Sequence, residues 1–311
     1  MSSMPRPTLA RIADQAGVSK STAAYILNGG PAHITFSAAT RERVEAVARE
    51  LGYRLNLAAR ATSTGRTGGI ALLHADGPLP DELLWAIHDR AAQHGLALTL
   101  ARLPDPMLAD PAHVPPILAT YAVDGVLVVG VRPPPDAVAA AIQRLNIPAI
   151  LVGCPSPTDA VATDEEAAGR ELGEHLLRQG FRRQAFVASD SADPVEARRA
   201  AGWSAALRSA GVRPRIIDLP ALAEALARDD PPQALVLADA AATVGRGLAW
   251  PDAVALAGFA PRAQVVGGKP IATHVQPLVA LGRAGVDQLR ARIAAPETAL
   301  PGLLLAGQLR I

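Results

Sequence analysis

The chain has 311 residues and a formal net charge of +1, and 50% of its residues are hydrophobic. That length allows two or three compact domains, and no apolar run reaches the roughly 18 residues of a membrane-spanning helix. The first residues lack the apolar core of a secretion signal, and the single cysteine, Cys154, cannot form an internal disulfide; we therefore expect a soluble, cytoplasmic protein with no membrane partner.

Charge is unevenly distributed along the chain. Residues 1–66 contain nine basic and four acidic residues, an excess of five positive charges, and the remainder has four net negative charges. A short basic head on a larger acidic body is typical of a nucleic-acid-binding domain joined to a regulatory domain. An uneven but merely solvated surface explains the same distribution, so charge alone leaves both interpretations open.

Three short helices are predicted in the head. Thr8 can cap the first helix, and Gly17 supplies the left-handed conformation that ends it. Ser19 caps the second helix, and the third begins at Ser37 and closes with Gly52 at its C-cap. Three helices around a small core, with a glycine-centred turn between the first two, make a helix-turn-helix unit.

The second helix has two chemically different faces. Apolar and small side chains repeat at helical spacing on one face: Thr22, Ala23, Ile26 and Leu27. Hydrogen-bonding groups with a small residue at their centre and no carboxylate occupy the other: Lys20, Ser21, Ala24, Tyr25 and Asn28. Base edges and phosphates in a major groove require donors and close approach, so this face suits DNA reading.

The order and spacing of these residues resemble those of a known family. TLARIADQAGVSKSTAAYILNG, ITFSAATRERVEAVARELGY and LNLAARATSTGRTGGIALL resemble the DNA-binding head and hinge of the lac repressor family of bacterial transcription regulators. The resemblance implies that base edges are contacted by Lys20, Ser21 and Tyr25, and phosphates by Ser19, Thr22 and Asn28.

Tyr25 stands where many family members have arginine. A phenol can donate one hydrogen bond and can lie against a thymine methyl group, but it cannot make the bidentate contact of a guanidinium with guanine. We therefore expect the preferred operator to differ from that of arginine-bearing relatives.

The hinge matches the family pattern only in part. Asn56, Ala59 and Arg60 stand at hinge positions, but Thr62 replaces the leucine that inserts into the minor groove in the family. Threonine is shorter, polar and β-branched, so it is a poor intercalating wedge and a weaker helix former. We expect weaker DNA bending, or a wedge supplied elsewhere, for instance by Leu57.

From Gly69 onward, apolar strand-like runs alternate with amphipathic helices. The predicted strands are GIALLH, LALTLARL, GVLVVGV, IPAILV, RQAFVAS, PQALVLA and AVALAGF. Such alternation predicts an α/β body of parallel sheets covered on both faces. The family resemblance implies a two-lobed, periplasmic-binding-protein-like body of doubly wound sheets, and the irregular segment 154–163 marks the boundary between the lobes.

These patterns predict three regions. The helix-turn-helix head occupies residues 1–54, the hinge 55–67 and the effector-binding and dimerisation body 68–311. Within the body, lobe one spans about 68–158 with a returning helix at 276–295, and lobe two spans about 163–272.

The effector site is expected at the carboxyl ends of the strands. The resemblance assigns Arg199 and Trp203 to it, and the predicted set is completed by His74, Asp239 and Phe259. The family's Asn-Asp pair reads Asp239-Ala240, however, and the aspartate after Gly-Phe is replaced by Ala260-Pro261. Two expected carboxylates are missing, which leaves three alternatives: an atypical ligand, little or no effector response, or a sugar or nucleoside bound differently.

No catalytic, metal or cofactor site is predicted. The histidines lack metal-ligand spacing, the Asp164-Glu165-Glu166 run suits a helix N-terminus, and the chain has no phosphate loop or dinucleotide fingerprint. An α/β enzyme and a secreted solute-binding protein are therefore disfavoured. The sequence predicts a homodimeric, sequence-specific transcription regulator, a repressor whose partners are near-palindromic double-stranded operator DNA and an unidentified small-molecule effector.

Overall fold

The computed structural model describes residues 7–28, 34–53, 65–75, 79–103, 118, 123–130, 136–189, 193–239, 253–266 and 269–311. The chain divides into two compact units, Met1–Gly69 with Ala122–Asp124 and Ile70–Tyr121 with Gly125–Ile311. Across these described ranges, no helix combines the length and apolar character needed to cross a membrane.

The first unit contains the three predicted head helices, α1 (Leu9–Ala16), α2 (Lys20–Asn28) and α3 (Ala38–Glu50). Their buried core consists of small and branched side chains: Ile12, Ala13, Ala16, Ala23, Ile26, Val44 and Ala48. Arg43 of α3 donates from Nε to the carbonyl of Ala16, 2.8 Å away, and so ties α3 to the end of α1.

Local capping sets the ends of these helices. The Thr8 and Ser37 hydroxyls accept from backbone N–H groups in the first turns of α1 and α3, and Gly17 has a φ of 63°. Gly52 also adopts a left-handed conformation, but the C-cap of α3 is Leu51 and Gly52 follows it. The predicted C-cap was therefore one residue too late.

The chain that leaves the head is held by a carboxylate. Asp124 accepts hydrogen bonds from the Thr67 backbone N–H at 2.7 Å, the Thr67 hydroxyl at 3.0 Å and the Gly68 N–H at 2.8 Å. These charge-assisted bonds hold the backbone immediately before β1.

The second unit alternates strands and helices, as predicted. In chain order its described elements are β1 (Gly69–Ala75), α4 (Asp81–Gln93), β2 (Ala97–Leu103), β3 (Gly125–Val129), α5 (Asp136–Leu145), β4 (Ala149–Val152), β5 (Ala160–Thr163), α6 (Glu165–Arg178), β6 (Gln184–Ala188), α7 (Pro194–Ser209), β7 (Ile216–Asp218), a 3-10 turn (Leu219–Ala221), α8 (Leu222–Leu226), β8 (Ala234–Leu237), β9 (Ala255–Ala260), β10 (Gln264–Val266), β11 (Lys269–Val275), α9 (Leu278–Ala294), β12 (Leu303–Leu305) and β13 (Gln308–Arg310).

Lobe one is built on a sheet with the order β12-β5-β4-β3-β1-β2. The pairs β1/β3, β3/β4, β4/β5 and β5/β12 are parallel, with Leu72 opposite Leu127 and Val128 opposite Leu151. Leu281, Val286 and Leu289 of α9 join its buried core. Helix α9 therefore packs on lobe one although it follows the strands of lobe two in the chain.

Lobe two is built on a sheet with the order β10-β11-β9-β8-β6-β7. Strand β13 joins this sheet by pairing with β11. Strands β7, β6, β8, β9 and β11 are parallel to their neighbours, whereas β10 and β13 run antiparallel to β11. In the two lobes together, β5, β7 and β10 through β13 were not among the predicted runs. All of them except β11 have only three or four residues, and β11 contains Lys269, Thr273 and His274, so it lacks a fully apolar pattern. Strand β5 lies within the segment 154–163, which was predicted to be irregular. Helices α6 and α7 pack closely together on this lobe.

Candidate functional site

The exposed face of α2 is the candidate DNA-reading surface. Lys20 and Ser21 are exposed, and Tyr25 is 38% exposed, a large fraction for an aromatic side chain. The first turn of α2 contains no acidic residue. This face therefore offers an ammonium group, a hydroxyl and a phenol without a carboxylate to repel phosphate.

Three hydroxyl groups cluster at the N-terminus of α2. Ser19 Oγ accepts from the Thr22 backbone N–H at 3.0 Å, as a capping serine does. The same oxygen lies 2.8 Å from both Ser21 Oγ and Thr22 Oγ1. Hydroxyl donors beside the positive end of a helix dipole form a favourable place for a phosphate oxygen.

Asn28 differs from the other members of the predicted reading face. Its angular position on α2 matches theirs, yet it is only 8% exposed, and among the described residues its Oδ1 has no hydrogen-bond partner. Helical position alone therefore does not expose this side chain. The hinge residues assigned to DNA contact, Asn56, Ala59, Arg60 and Thr62, lie outside the described residues, as does Leu57.

The predicted effector residues are divided between the two lobes. His74 is near the carboxyl end of β1 in lobe one, where it pairs in register with Val129. In lobe two, Arg199 Cζ lies 4.6 Å from the centre of the Phe259 ring, and its Nη1 donates to the carbonyl of Ala238, directly before Asp239, at 2.7 Å. The structure thus brings Arg199 to Phe259 and to the backbone beside Asp239.

Trp203 is part of the lobe-two core. It is fully buried, and its indole N–H donates to Gln184 Oε1 at 2.8 Å. Its ring lies 5.7 Å from that of Phe186. Since Gln184 is the first residue of β6, the indole nitrogen is directed toward the amino end of the sheet, opposite the strand ends where an effector is expected.

Arg199 is engaged by an acidic side chain, Glu165, that was predicted only to stand at the start of a helix. Its Nε donates to Glu165 Oε2 at 2.6 Å and its Nη2 to Glu165 Oε1 at 3.1 Å, and the two side chains are 6% and 2% exposed. Gln276 Nε2 donates to the same Glu165 Oε1 at 3.2 Å. The charge on the guanidinium is therefore neutralised within the protein, in a buried bidentate pair.

Comparison with known proteins identifies the family. The model described as bacterial regulatory proteins, lacI family, matches residues 8–56, and the model described as periplasmic binding proteins and sugar binding domain of LacI family matches residues 69–299. The chain belongs to the lacI family. It is 30% identical to the HTH-type transcriptional regulator PtxS of Pseudomonas plecoglossicida, and the alignment covers 70% of this chain and 64% of that protein.

Other relatives place this lacI-family chain in the same group. It is 31% identical to the maltose regulon regulatory protein MalI of Escherichia coli K12, over 68% of this chain and 62% of that one. The chain therefore spans a little under two thirds of the length of these curated relatives.

Solved structures of family members share the fold. A lac repressor dimer bound to operator and an anti-inducer superposes with a TM-score of 0.71 at 24% identity, covering 98% of both chains. A CelR–cellobiose complex superposes with a TM-score of 0.63 at 24% identity, covering 98% of this chain and 99% of that one. The predicted helix-turn-helix head and two-lobed α/β body are thus confirmed.

A cross-lobe ion pair also lies in this lacI-family body. Arg262, just after β9, donates from Nε to Glu82 Oε1 in the first turn of α4 at 2.8 Å. The hydrogen bond from Arg262 holds the pKa of Glu82 below its usual value, and the bond to Glu82 raises the pKa of Arg262. Because both side chains are solvent-exposed, the pair bridges the two lobes but contributes little to their stability.

Two polar groups near Arg199, Glu165 and His274, were not among the predicted site residues. His274 lies in β11, 3% exposed, with Nε2 3.3 Å from Glu171 Oε2 and its ring 6.1 Å from that of Phe259. No spacing rule links residues 165, 199 and 274, which are separated by several elements. Only the sheet order β8-β9-β11 and the packing of α6 on α7 bring them together.

His274 gives an expected pH dependence. Burial lowers the pKa of His274, and the positive charge of Arg199 lowers it further. The negative charges of Glu171 and Glu165 raise the pKa, but the net shift is downward. A histidine in an unfolded chain titrates near about 6.5, so below that pH the unfolded state binds more protons and the folded state loses stability. We expect the free energy of unfolding to fall between about pH 7 and pH 5.

Urea unfolding at several pH values measures this effect. The His274→Gln variant should lose less stability than the wild type over the same interval, whereas His88→Gln, at an exposed site, should follow the wild type. A steeper loss in His274→Gln than in the wild type would contradict the expected sign.

Proposed function

We propose that this protein is a sequence-specific DNA-binding transcription regulator that acts as a homodimer, a repressor of genes next to a near-palindromic operator. The observation that carries the proposal is the exposed α2 face with Lys20, Ser21 and Tyr25, beside the Ser19 hydroxyl cluster. Side chains of this kind on the second helix of a helix-turn-helix contact bases and phosphates in the major groove.

The relatives support the same proposal. PtxS is named an HTH-type transcriptional regulator and MalI a regulatory protein of the maltose regulon. A structural neighbour is a lac repressor dimer bound to operator. By analogy, two copies of this chain present two heads to two half-sites, and the protein acts in the cytoplasm at the nucleoid. The hinge residues Asn56, Ala59, Arg60 and Thr62 complete the proposed DNA contact.

The body is proposed to sense a small molecule between its lobes. CelR is described in complex with cellobiose, and the proposed site here comprises His74, Arg199, Asp239 and Phe259. Trp203, which the resemblance assigned to this site, lies instead in the lobe-two core. Ligand binding would change the spacing of the lobes, which the exposed pair between Arg262 and Glu82 bridges. The coupling between effector and operator would be reciprocal.

A second candidate is a repressor without a small-molecule response. The buried pair of Arg199 with Glu165 favours it, because the arginine assigned to effector binding already has a bidentate carboxylate partner. A thermal-shift screen of metabolites with the full chain separates the two candidates. A ligand that binds only the folded state must raise the unfolding temperature. At a ligand concentration of 100 times the dissociation constant, the free energy of unfolding rises by about 2.7 kcal/mol.

DNA binding is tested by selection of sites from random duplexes, followed by gel shift at increasing salt. The proposal requires a consensus with two related half-sites and an affinity that falls steeply as salt rises. A pool without a consensus, or an affinity independent of salt, would reject the regulator function.

Substitutions on α2 test which residues read the bases. Lys20→Ala and Tyr25→Ala should each change the preference among operator bases by about 1–3 kcal/mol. Arg60→Ala should instead weaken binding uniformly, because the hinge arginine is assigned a less base-specific contact.

A matched control for Lys20→Ala is Arg49→Ala, which removes the same charge from an exposed position on α3. It should leave the selected consensus unchanged. The assignment of the reading face is wrong if wild type, Lys20→Ala and Tyr25→Ala all select the same consensus with the same strength.

A further inference from the structure

A cavity lined by arginines lies at the amino ends of the lobe-two strands. Its volume is about 700 Å³, and its walls come from the segments just before β6, β7 and β8. Since these strands are parallel, their amino ends share one edge of the sheet. The proposed effector site belongs to the carboxyl ends, at the opposite edge.

The cavity has a strong excess of positive charge. Five arginines line it, with one carboxylate, Asp230: Arg182, Arg183, Arg213, Arg215 and Arg228. Asp230 is already paired with Arg183, whose Nε lies 2.8 Å from its Oδ1. An adjoining depression of about 550 Å³ shares Arg215, Arg228 and Asp230 and adds only one further carboxylate, Asp229.

Two of the arginines are held in place by backbone carbonyl groups. Arg182 Nη2 donates to the carbonyl of Ala210 at 2.9 Å, and Arg183 Nε donates to that of Pro231 at 3.3 Å. Within the part of the chain that the structure describes, the side chains of Arg213, Arg215 and Arg228 form no hydrogen bond or ion pair. Three arginines without a described side-chain partner thus line the same cavity as two positioned ones.

Guanidinium groups match phosphate oxygens in geometry as well as charge. Each can donate two parallel hydrogen bonds to a phosphate, and several together accommodate adjacent phosphates. A bound polyanion would also relieve the mutual repulsion of five like charges. Apolar groups of Val212 and Ile216 line the same cavity and can contact an organic group attached to the phosphates.

We infer that this arginine cavity binds a small molecule carrying a di- or triphosphate. The volume lies within the usual range of small-molecule sites, about 300–1,000 Å³. The arginines converge on one concavity, whereas binding to a DNA duplex requires cations spread along its backbone. None of the cavity residues belongs to the α2 face or to the proposed effector set, so the site would give the regulator a second ligand.

Isothermal titration calorimetry of the 311-residue chain tests this site, with inorganic tripolyphosphate and ATP as probes. We expect saturable binding of one ligand per chain. Equal affinities would mean that the phosphate chain alone is recognised, and tighter ATP binding would mean that the nucleoside contributes; both results support the site. Arg213→Ala combined with Arg215→Ala should weaken binding roughly 10- to 100-fold, because each change removes charge-assisted hydrogen bonds.

The matched control removes two charges elsewhere. Arg283 and Arg290 are exposed on α9, in lobe one, and the double variant Arg283→Ala with Arg290→Ala should bind tripolyphosphate like the wild type. Circular dichroism and the unfolding temperature verify that both double variants are folded, as expected for substitutions of side chains that form no described internal bonds.

Three results would overturn the inference. The first is no saturable binding at millimolar tripolyphosphate, and the second is equal weakening of binding in both double variants. The third is that the wild type does not bind tripolyphosphate while the Arg213→Ala, Arg215→Ala variant loses binding to non-operator DNA. Operator selection is measured without either probe. A failure here therefore leaves the proposed regulator function intact, and a failure of operator selection leaves the titration interpretable.

Discussion

Replacing Glu165 with alanine is expected to lower the free energy of unfolding of the body by about 3–5 kcal/mol. The substitution leaves the guanidinium of Arg199 buried, with a side chain only 6% exposed, and without its bidentate partner. A remaining hydrogen bond to the Ala238 carbonyl cannot neutralise the charge. The large expected loss therefore comes from an uncompensated buried charge more than from the bonds removed.

Urea unfolding followed by circular dichroism measures this loss. Glu166→Ala is the matched control, because Glu166 is the next residue on α6 and, among the described residues, its side chain forms only an exposed pair with Arg170 at 3.5 Å. It should cost less than about 1 kcal/mol. The double variant Glu165→Leu with Arg199→Met should recover most of the stability, since it removes both charges together.

Variants of Glu165 also test whether Arg199 binds an effector. If Arg199 holds a ligand, that ligand must share or displace Glu165, and Glu165→Gln should change its affinity. A stability loss below about 1 kcal/mol for Glu165→Ala would contradict a buried ion pair in the protein. Arg199 would then be free to bind an effector.

Replacing Gly202 with alanine is expected to destabilise the body by about 3 kcal/mol or more. In an isolated helix the change would favour α7 by up to about 1 kcal/mol. Here an added Cβ would collide with the carbonyl of Glu166 on α6, and a Cβ at Gly169 would collide with the carbonyl of Arg199 on α7. Backbone atoms cannot rotate away as a side chain does, so α6 and α7 would have to separate.

Ala201→Ser is the matched control, since Ala201 precedes Gly202 on the exposed side of α7, and it should change stability by less than about 0.5 kcal/mol. Both variants are compared with wild type by urea unfolding. Higher stability of Gly202→Ala would show that helix propensity outweighs the close approach of the two helices. Because α6 and α7 also hold Glu165 and Arg199, we expect any separation to disturb the proposed effector site.

Many local features of this protein were predictable from the sequence. The capping roles of Thr8, Ser19 and Ser37 depend on a side chain and a backbone N–H three residues further along the chain. Buried strands such as β3 and β8 are recognisable as short apolar runs because both faces of a parallel sheet are covered. The exposed face of α2 also follows from helical periodicity, except at Asn28.

The partners of the polar groups were not predictable in the same way. Glu165 meets Arg199 across 34 positions of sequence, Glu82 meets Arg262 across 180, and the arginine cavity gathers three separate loops. Periodicity and capping are set by neighbours along the chain, so the sequence by itself determines the helices, most strands and the α2 face. Which charges are neutralised depends on which strand ends and helices become adjacent, and only the tertiary structure decides that.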